Sequence, residues 1–121
     1  MPETRNIIDP YHYWTNEAIK ADLDTKRHDF GVLVANVQYD FNIGTVIRNS
    51  NAFLAKKVFI YGNSHWDRRG AVGTHNYLHI EKKKDLLGLE NFEWVGVDNV
   101  DGAKPIDSFV WPKNTLMCFG Q

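Results

Sequence analysis

The stretch DFNIGTVIRNSNAF, Asp40 to Phe53, separates two apolar runs, Phe30–Val37 and Lys56–Gly62. Ile43, Val46, Ile47, Ser50, Phe53 and Leu54 fall at the i, i+3, i+4, i+7 spacing of one helical face. Asn42 stands just before that face and can cap the first turn. Gly44 removes a side chain from the same turn, so something can approach the backbone closely there. It also costs helix propensity, so it needs a reason. At about 100° per residue, Arg48 lies roughly 140° from Ile43, outside the buried stripe. Spacing alone leaves two readings open: an N-capped amphipathic helix with one solvated arginine, or a helix mouth built to meet a ligand.

FGVLVANV, Phe30 to Val37, is a continuous β-branched run of the kind that forms a strand buried on both faces. KKVFIYG, Lys56 to Gly62, is a second such strand, ended by glycine. The helix mouth therefore sits at the carboxyl end of a buried parallel strand, where ligands bind in open α/β sheets.

Working outward, residues 1–14 are irregular, with Pro2 and Pro10, and TNEAIKADLDTKR (15–27) reads as a helix with Thr15 as N-cap. Residues 63–77 read as loop, with a short helix around Arg69–Gly73. LHIE (78–81) reads as a short strand, DLLGLE (85–90) as a short helix and FEWVGVD (92–98) as a third strand. A loop over 99–114, with a turn at Asp101–Gly102, leads to a final strand, TLMCFGQ (115–121). Strands alternating with helices predict an α/β fold with a parallel, Rossmann-like sheet. The reading divides the chain into an N-terminal extension with a helix, 1–29, and one domain over 30–121.

At 121 residues the chain is at most one domain, and 43% hydrophobic residues suffice for a core. No run approaches the roughly 20 apolar residues of a membrane helix, and the N-terminus lacks a cationic-then-apolar signal pattern. One cysteine, Cys118, excludes an internal disulfide and points to a reducing compartment, so cytoplasm is the expected location. No Cys/His spacing resembles a zinc site, and no metal is expected. No G-x-G-x-x-G turn supports a dinucleotide site. Net charge is −1, but Lys56 to Lys84 holds seven basic residues against two acidic ones. This basic island is either a solvated surface or a face for an anionic partner.

NVQYDFNIGTVIRNSNAFLAKKVFIYG closely resembles the first motif of the SpoU/TrmH-type RNA methyltransferases of the SPOUT superfamily. That motif is a buried strand, N-x-G-x-x-x-R, a small-residue helix, an aromatic, and a strand ending in glycine. VGVDNVDGAKPIDSFVWPKNTLMCFGQ resembles the approach to the second motif, which continues with a glutamate after the position of Gln121. The third motif is not in the sequence, so the trefoil-knot half of the fold is expected to be missing.

The resemblance implies transfer of a methyl group from S-adenosylmethionine to a ribose 2′-hydroxyl of tRNA or rRNA. Arg48 matches the arginine that acts on the hydroxyl, and Asn42 the asparagine that shapes the site. Gly120 and Val97 match positions in the wall of the cofactor pocket. Arg68, Arg69, Lys82, Lys83 and Lys84 then become candidates for RNA phosphates, with His75 and Tyr77 available for stacking. Trp14, Trp66, Trp94 and Trp111 read more readily as packing. The resemblance further implies a homodimer. Most of the cofactor pocket is expected from what would follow Gln121, so the 121 residues alone are expected to bind S-adenosylmethionine weakly. A non-catalytic RNA-binding or assembly module on a partial SPOUT fold is the alternative reading.

Overall fold

The computed structural model describes residues 3–36 and 42–120. Asp40, Phe41, the expected last strand residue Val37 and Gln121 lie outside the described residues. The elements are α1 (Asn16–Asp24), β1 (His28–Asn36), α2 (Asn42–Ala52), β2 (Ala55–Gly62), β3 (Ile80–Lys83), β4 (Glu93–Gly96) and β5 (Thr115–Phe119). Single 3-10 turns occur at Asp9–Tyr11, Arg69–Ala71 and Thr74–Asn76. The five strands form one sheet in the order β3-β2-β1-β5-β4, with every pairing parallel.

The sheet explains the continuous apolar run of β1. Val32 and Val34 face α2, where they meet Ile43, Ile47, Val58 and Ile60. Leu33 points to the opposite face and packs with Phe59, Leu89 and Leu116. Both faces of the strand are covered, so no alternation is needed. Ile43, Ile47 and Ile60 are completely buried, and each contributes roughly 1.5–3 kcal/mol by leaving water.

Several boundaries differ from the sequence expectation. β1 begins at His28 rather than Phe30, because the His28 N–H donates to the Leu54 carbonyl at 2.9 Å. The Asp29 carboxylate accepts from Lys56 Nζ at 2.7 Å and from the Asn114 N–H at 3.0 Å, which joins β1, β2 and the approach to β5. Helix α1 stops at Asp24, short of Arg27, after Thr15 caps its start by accepting from the Ala18 N–H at 3.1 Å. The buried Arg27 side chain turns back to the Tyr77 carbonyl and to Asp24. Tyr11, Ile19 and Tyr77 form a small cluster, so the N-terminal extension packs on the end of the 63–77 segment.

The helix expected at 85–90 is absent. Asp85 accepts from the Leu87 N–H and Glu90 from the Gly88 N–H, while Gly88 sits at φ 85°. Side chains that bond the local backbone compete with helix formation. The short strand expected at 78–81 falls at 80–83, paired in register with Val58–Tyr61 of β2.

Candidate functional site

Because all strands are parallel, Asn36, Gly62, Lys83, Gly96 and Phe119 end at one edge of the sheet. Helix α2 opens at that edge. Asn42 is its first residue, inside the helix rather than capping from the position before it, and it is exposed. Ile43, Gly44, Ile47 and Ser50 are buried, and the Ser50 hydroxyl donates back to the Val46 carbonyl at 2.7 Å, which satisfies it against the sheet. Arg48 is exposed and has no hydrogen bond or ion pair among the described residues.

Gly44 has a reason other than the one expected. A Cβ there would stand 2.8 Å from the Ala71 nitrogen and 3.0 Å from the Asp67 carbonyl oxygen and the Gly70 carbonyl carbon. The close approach is made by the chain's own 67–71 backbone, not by a ligand. That segment is thereby pressed against the first turn of α2, one helical turn (about 6 Å) from Arg48.

The basic island resolves into paired and unpaired charge. Lys56 is held by Asp29 and Asn114, and Lys57 by Glu81. Arg69 grips Asp67 through Nε and Nη2, at 2.6–3.1 Å, and this contact holds the Asp67 carboxyl down at about 2. Lys83 reaches Glu81 at 3.5 Å. Arg68, Lys82 and Lys84 are exposed and have no ion pair among the described residues. Of the two residues offered for stacking, Tyr77 is buried in the N-terminal cluster and His75 is half-buried.

Val97 and Gly120 follow the ends of β4 and β5, on the other flank of β1. The Val97 N–H donates to the Cys118 carbonyl at 2.9 Å, just beyond the paired ends of β4 and β5. Val97 lines a cavity of about 600 Å³ with Asn99, Ala103, Pro105, Ile106 and Phe109. Gly120 does not line it, and a Cβ at Gly120 would meet nothing within 4 Å. A larger cavity, about 750 Å³, opens elsewhere, between Phe53 of α2, Trp111 and the amino ends of β1 and β5 at His28 and Thr115. It runs along β1 and β5 as far as Phe119 at the carboxyl edge, and Trp111 lines both cavities.

No family profile matches the sequence, and no curated protein matches it by sequence. A solved structure does match in three dimensions: the TrmH/SpoU tRNA modifying enzyme of A. aeolicus, at a TM-score of 0.69 and 16% identity, over 88% of this chain and 59% of that one. The fold is similar to that of part of this TrmH/SpoU enzyme. The chain spans part of it, as an α/β unit with a five-stranded parallel sheet. Among the described residues no group of His, Cys, Asp and Glu is arranged to hold a metal, and no helix is long and apolar enough to cross a membrane.

Two features of this sheet were not anticipated. The fully buried Asn36 ends β1 and donates through Nδ2 to the carbonyls of Asn63 and His65, at 2.9 and 2.7 Å. Its own carbonyl accepts from the Asn63 N–H at 2.9 Å. One residue therefore clamps the exit of β2 to the end of β1, and fixes the start of the segment that backs onto Gly44. Trp66 is the second. Half-buried against the α2-side core, it carries the Arg68 guanidinium over its ring at 5.8 Å and His75 edge-on at 5.8 Å.

His75 also gives the fold a pH dependence. Burial, reinforced by the Arg68 charge, lowers its pKa below the ordinary 6.5. The unfolded chain then binds the proton more readily than the native one, so stability is full above about pH 6.5 and declines as pH falls from there towards the lowered native value. His75→Gln should flatten the decline. Urea midpoints of both proteins at pH 7.5 and pH 5.5 check this, and equal losses would remove His75 as the cause.

Proposed function

We propose that the chain forms the RNA-facing part of an S-adenosylmethionine-dependent RNA 2′-O-ribose methyltransferase. One observation carries the reading: N-x-G-x-x-x-R, Asn42 to Arg48, opens the helix at the carboxyl edge of a TrmH/SpoU sheet and leaves the arginine exposed beside a segment with unpaired basic charge. S-adenosylmethionine, when bound, supplies a methyl group on a sulfonium, which the hydroxyl oxygen takes up as it loses its proton. The residues around Val97 fit one side of such a ligand: an apolar wall at Ala103, Pro105 and Ile106 for a purine ring, and Asn99 for its polar edge.

Arg48 has the chemistry of an organiser. A guanidinium is a poor base. It donates along a planar fork, so it holds a ribose hydroxyl and an adjacent phosphate in one geometry and stabilises charge developing on the oxygen. Asn42, at the head of the same helix, would orient the neighbouring ribose. Lys82 and Lys84 supply non-specific attraction for the backbone. The homodimer that the resemblance implies belongs to this reading.

The direct test is transfer of label from methyl-labelled S-adenosylmethionine to RNA by the full-length product of the gene. RNA binding without transfer would favour the non-catalytic module. The ion pairing sharpens a second expectation. Arg68→Ala should lower the slope of log affinity against log salt by about one unit, the loss of one phosphate's worth of charge. Arg69→Ala should change it by less, because Asp67 already offsets Arg69. Anisotropy titrations over a salt series measure both, and identical slopes for wild type and Arg68→Ala would return Arg68 to ordinary solvated surface.

A further inference from the structure

Three unfavourable features lie close together on the segment after β2. Val72 is held at φ 46°, a left-handed conformation that a β-branched residue rarely adopts, and its side chain is half exposed, so burial does not compensate. His75 Nδ1 is buried with no hydrogen-bond partner. Arg68 has no acidic partner among the described residues, and stands over the ring of Trp66 instead. The surrounding frame is firm. Asn36 clamps the carbonyls of residues 63 and 65, Thr74 Oγ1 donates to the Ala71 carbonyl at 2.7 Å, and Gly44 backs onto residues 67–71. Stability alone would favour glycine or asparagine at position 72 and an acid beside Arg68. Strain held in a rigid frame points to a function for the groups it presents.

We propose that Trp66 and Arg68 form a stacking platform for one unpaired RNA nucleobase. The proposal rests on the RNA-directed reading above and adds to it the structural class of the substrate, a loop or single strand. Trp66 is held by the core and by a perpendicular contact with His75, and the Arg68 guanidinium carbon stands 5.8 Å from its ring centroid. The guanidinium is exposed beside the ring, and unstacked bases are recognised by stacking on guanidinium and aromatic planes. The adjacent arginine shows the other mode: Arg69 spends its edge on both oxygens of Asp67. A duplex keeps its bases stacked and cannot use the platform. The segment that bears the platform touches the first turn of α2, so a base held there would bring its ribose to the helix that carries Arg48.

The substitution Arg68→Lys separates stacking from charge, since it keeps the positive charge and loses the plane. Arg68 is exposed, and thermal melting of the variant confirms that it folds. The probes are a 12-nucleotide unstructured RNA and a blunt RNA duplex of equal length, titrated against wild type and variant at low and high salt. The expected result is a loss of about tenfold on the single strand that persists at high salt, with an unchanged salt slope, and almost no loss on the duplex. Wild-type affinity for the single strand in Arg68→Lys overturns the platform while leaving the RNA-directed reading in place. Equal losses on both RNAs do the same. No affinity of the wild-type protein for either RNA overturns both.

Discussion

Gly44→Val is expected to destabilise the protein by about 3 kcal/mol, and Gly44→Ala by about 1 kcal/mol. Replacing glycine inside a helix ordinarily gains up to about 1 kcal/mol of propensity, so the expected sign depends on the contacts. A Cβ at position 44 meets the Ala71 nitrogen at 2.8 Å and the Asp67 oxygen at 3.0 Å. Both are backbone atoms, in a segment clamped by Asn36 upstream and by the Thr74–Ala71 hydrogen bond downstream. They cannot swing aside as a side-chain tip would. Valine adds two methyl groups to the same crevice. Urea unfolding with unchanged m-values measures the loss, and a Gly44→Ala protein more stable than wild type would show that the crevice is not tight. The same substitutions should weaken RNA binding, because the displaced segment carries Trp66 and Arg68.

Arg48→Ala is expected to lower kcat/KM for methyl transfer at least about 100-fold in the full-length product of the gene, with the melting temperature unchanged. The two halves of this expectation come from different observations. The rate effect follows from a guanidinium fork at the edge where the parallel strands end. The absence of a stability effect follows from an exposed side chain with no partner among the described residues, for which substitutions stay within about 0.5 kcal/mol. Arg48→Lys should recover little, since an ammonium cannot hold hydroxyl and phosphate in one plane. Full turnover in Arg48→Ala would end the assignment, and a large fall in melting temperature would make Arg48 a structural residue.

The sheet was legible because its strands announce themselves. Phe30–Asn36 is apolar on both faces, and so is most of Ala55–Gly62, leaving only a helix to join them in parallel. Arg48 was legible for the same reason: 3.6-residue periodicity places it off the buried stripe without any tertiary knowledge. The misread parts depend on contacts distant in sequence or on single side chains. Asn36 lay inside the apolar run Phe30–Val37, and its clamp on residues 63 and 65 spans 27 and 29 positions. Gly44 announced a close approach but not what approaches. Trp66 reads as packing in any window, and only the fold sets Arg68 above it and His75 at its edge. At 85–90 the apolar spacing suggested a helix, but Asp85 and Glu90 bond the local backbone instead. Arg69 counted as free charge in the sequence, and Asp67, two residues earlier, takes most of it.

The position of the methyl group on the RNA tests the central claim most directly. RNA incubated with the full-length product of the gene and methyl-labelled S-adenosylmethionine is digested to nucleosides, and the labelled species are identified by mass spectrometry. The account predicts label in 2′-O-methylribose, with the base unmodified, and its loss in Arg48→Ala. Label on a base, or 2′-O-methylation that persists undiminished in Arg48→Ala, would contradict it.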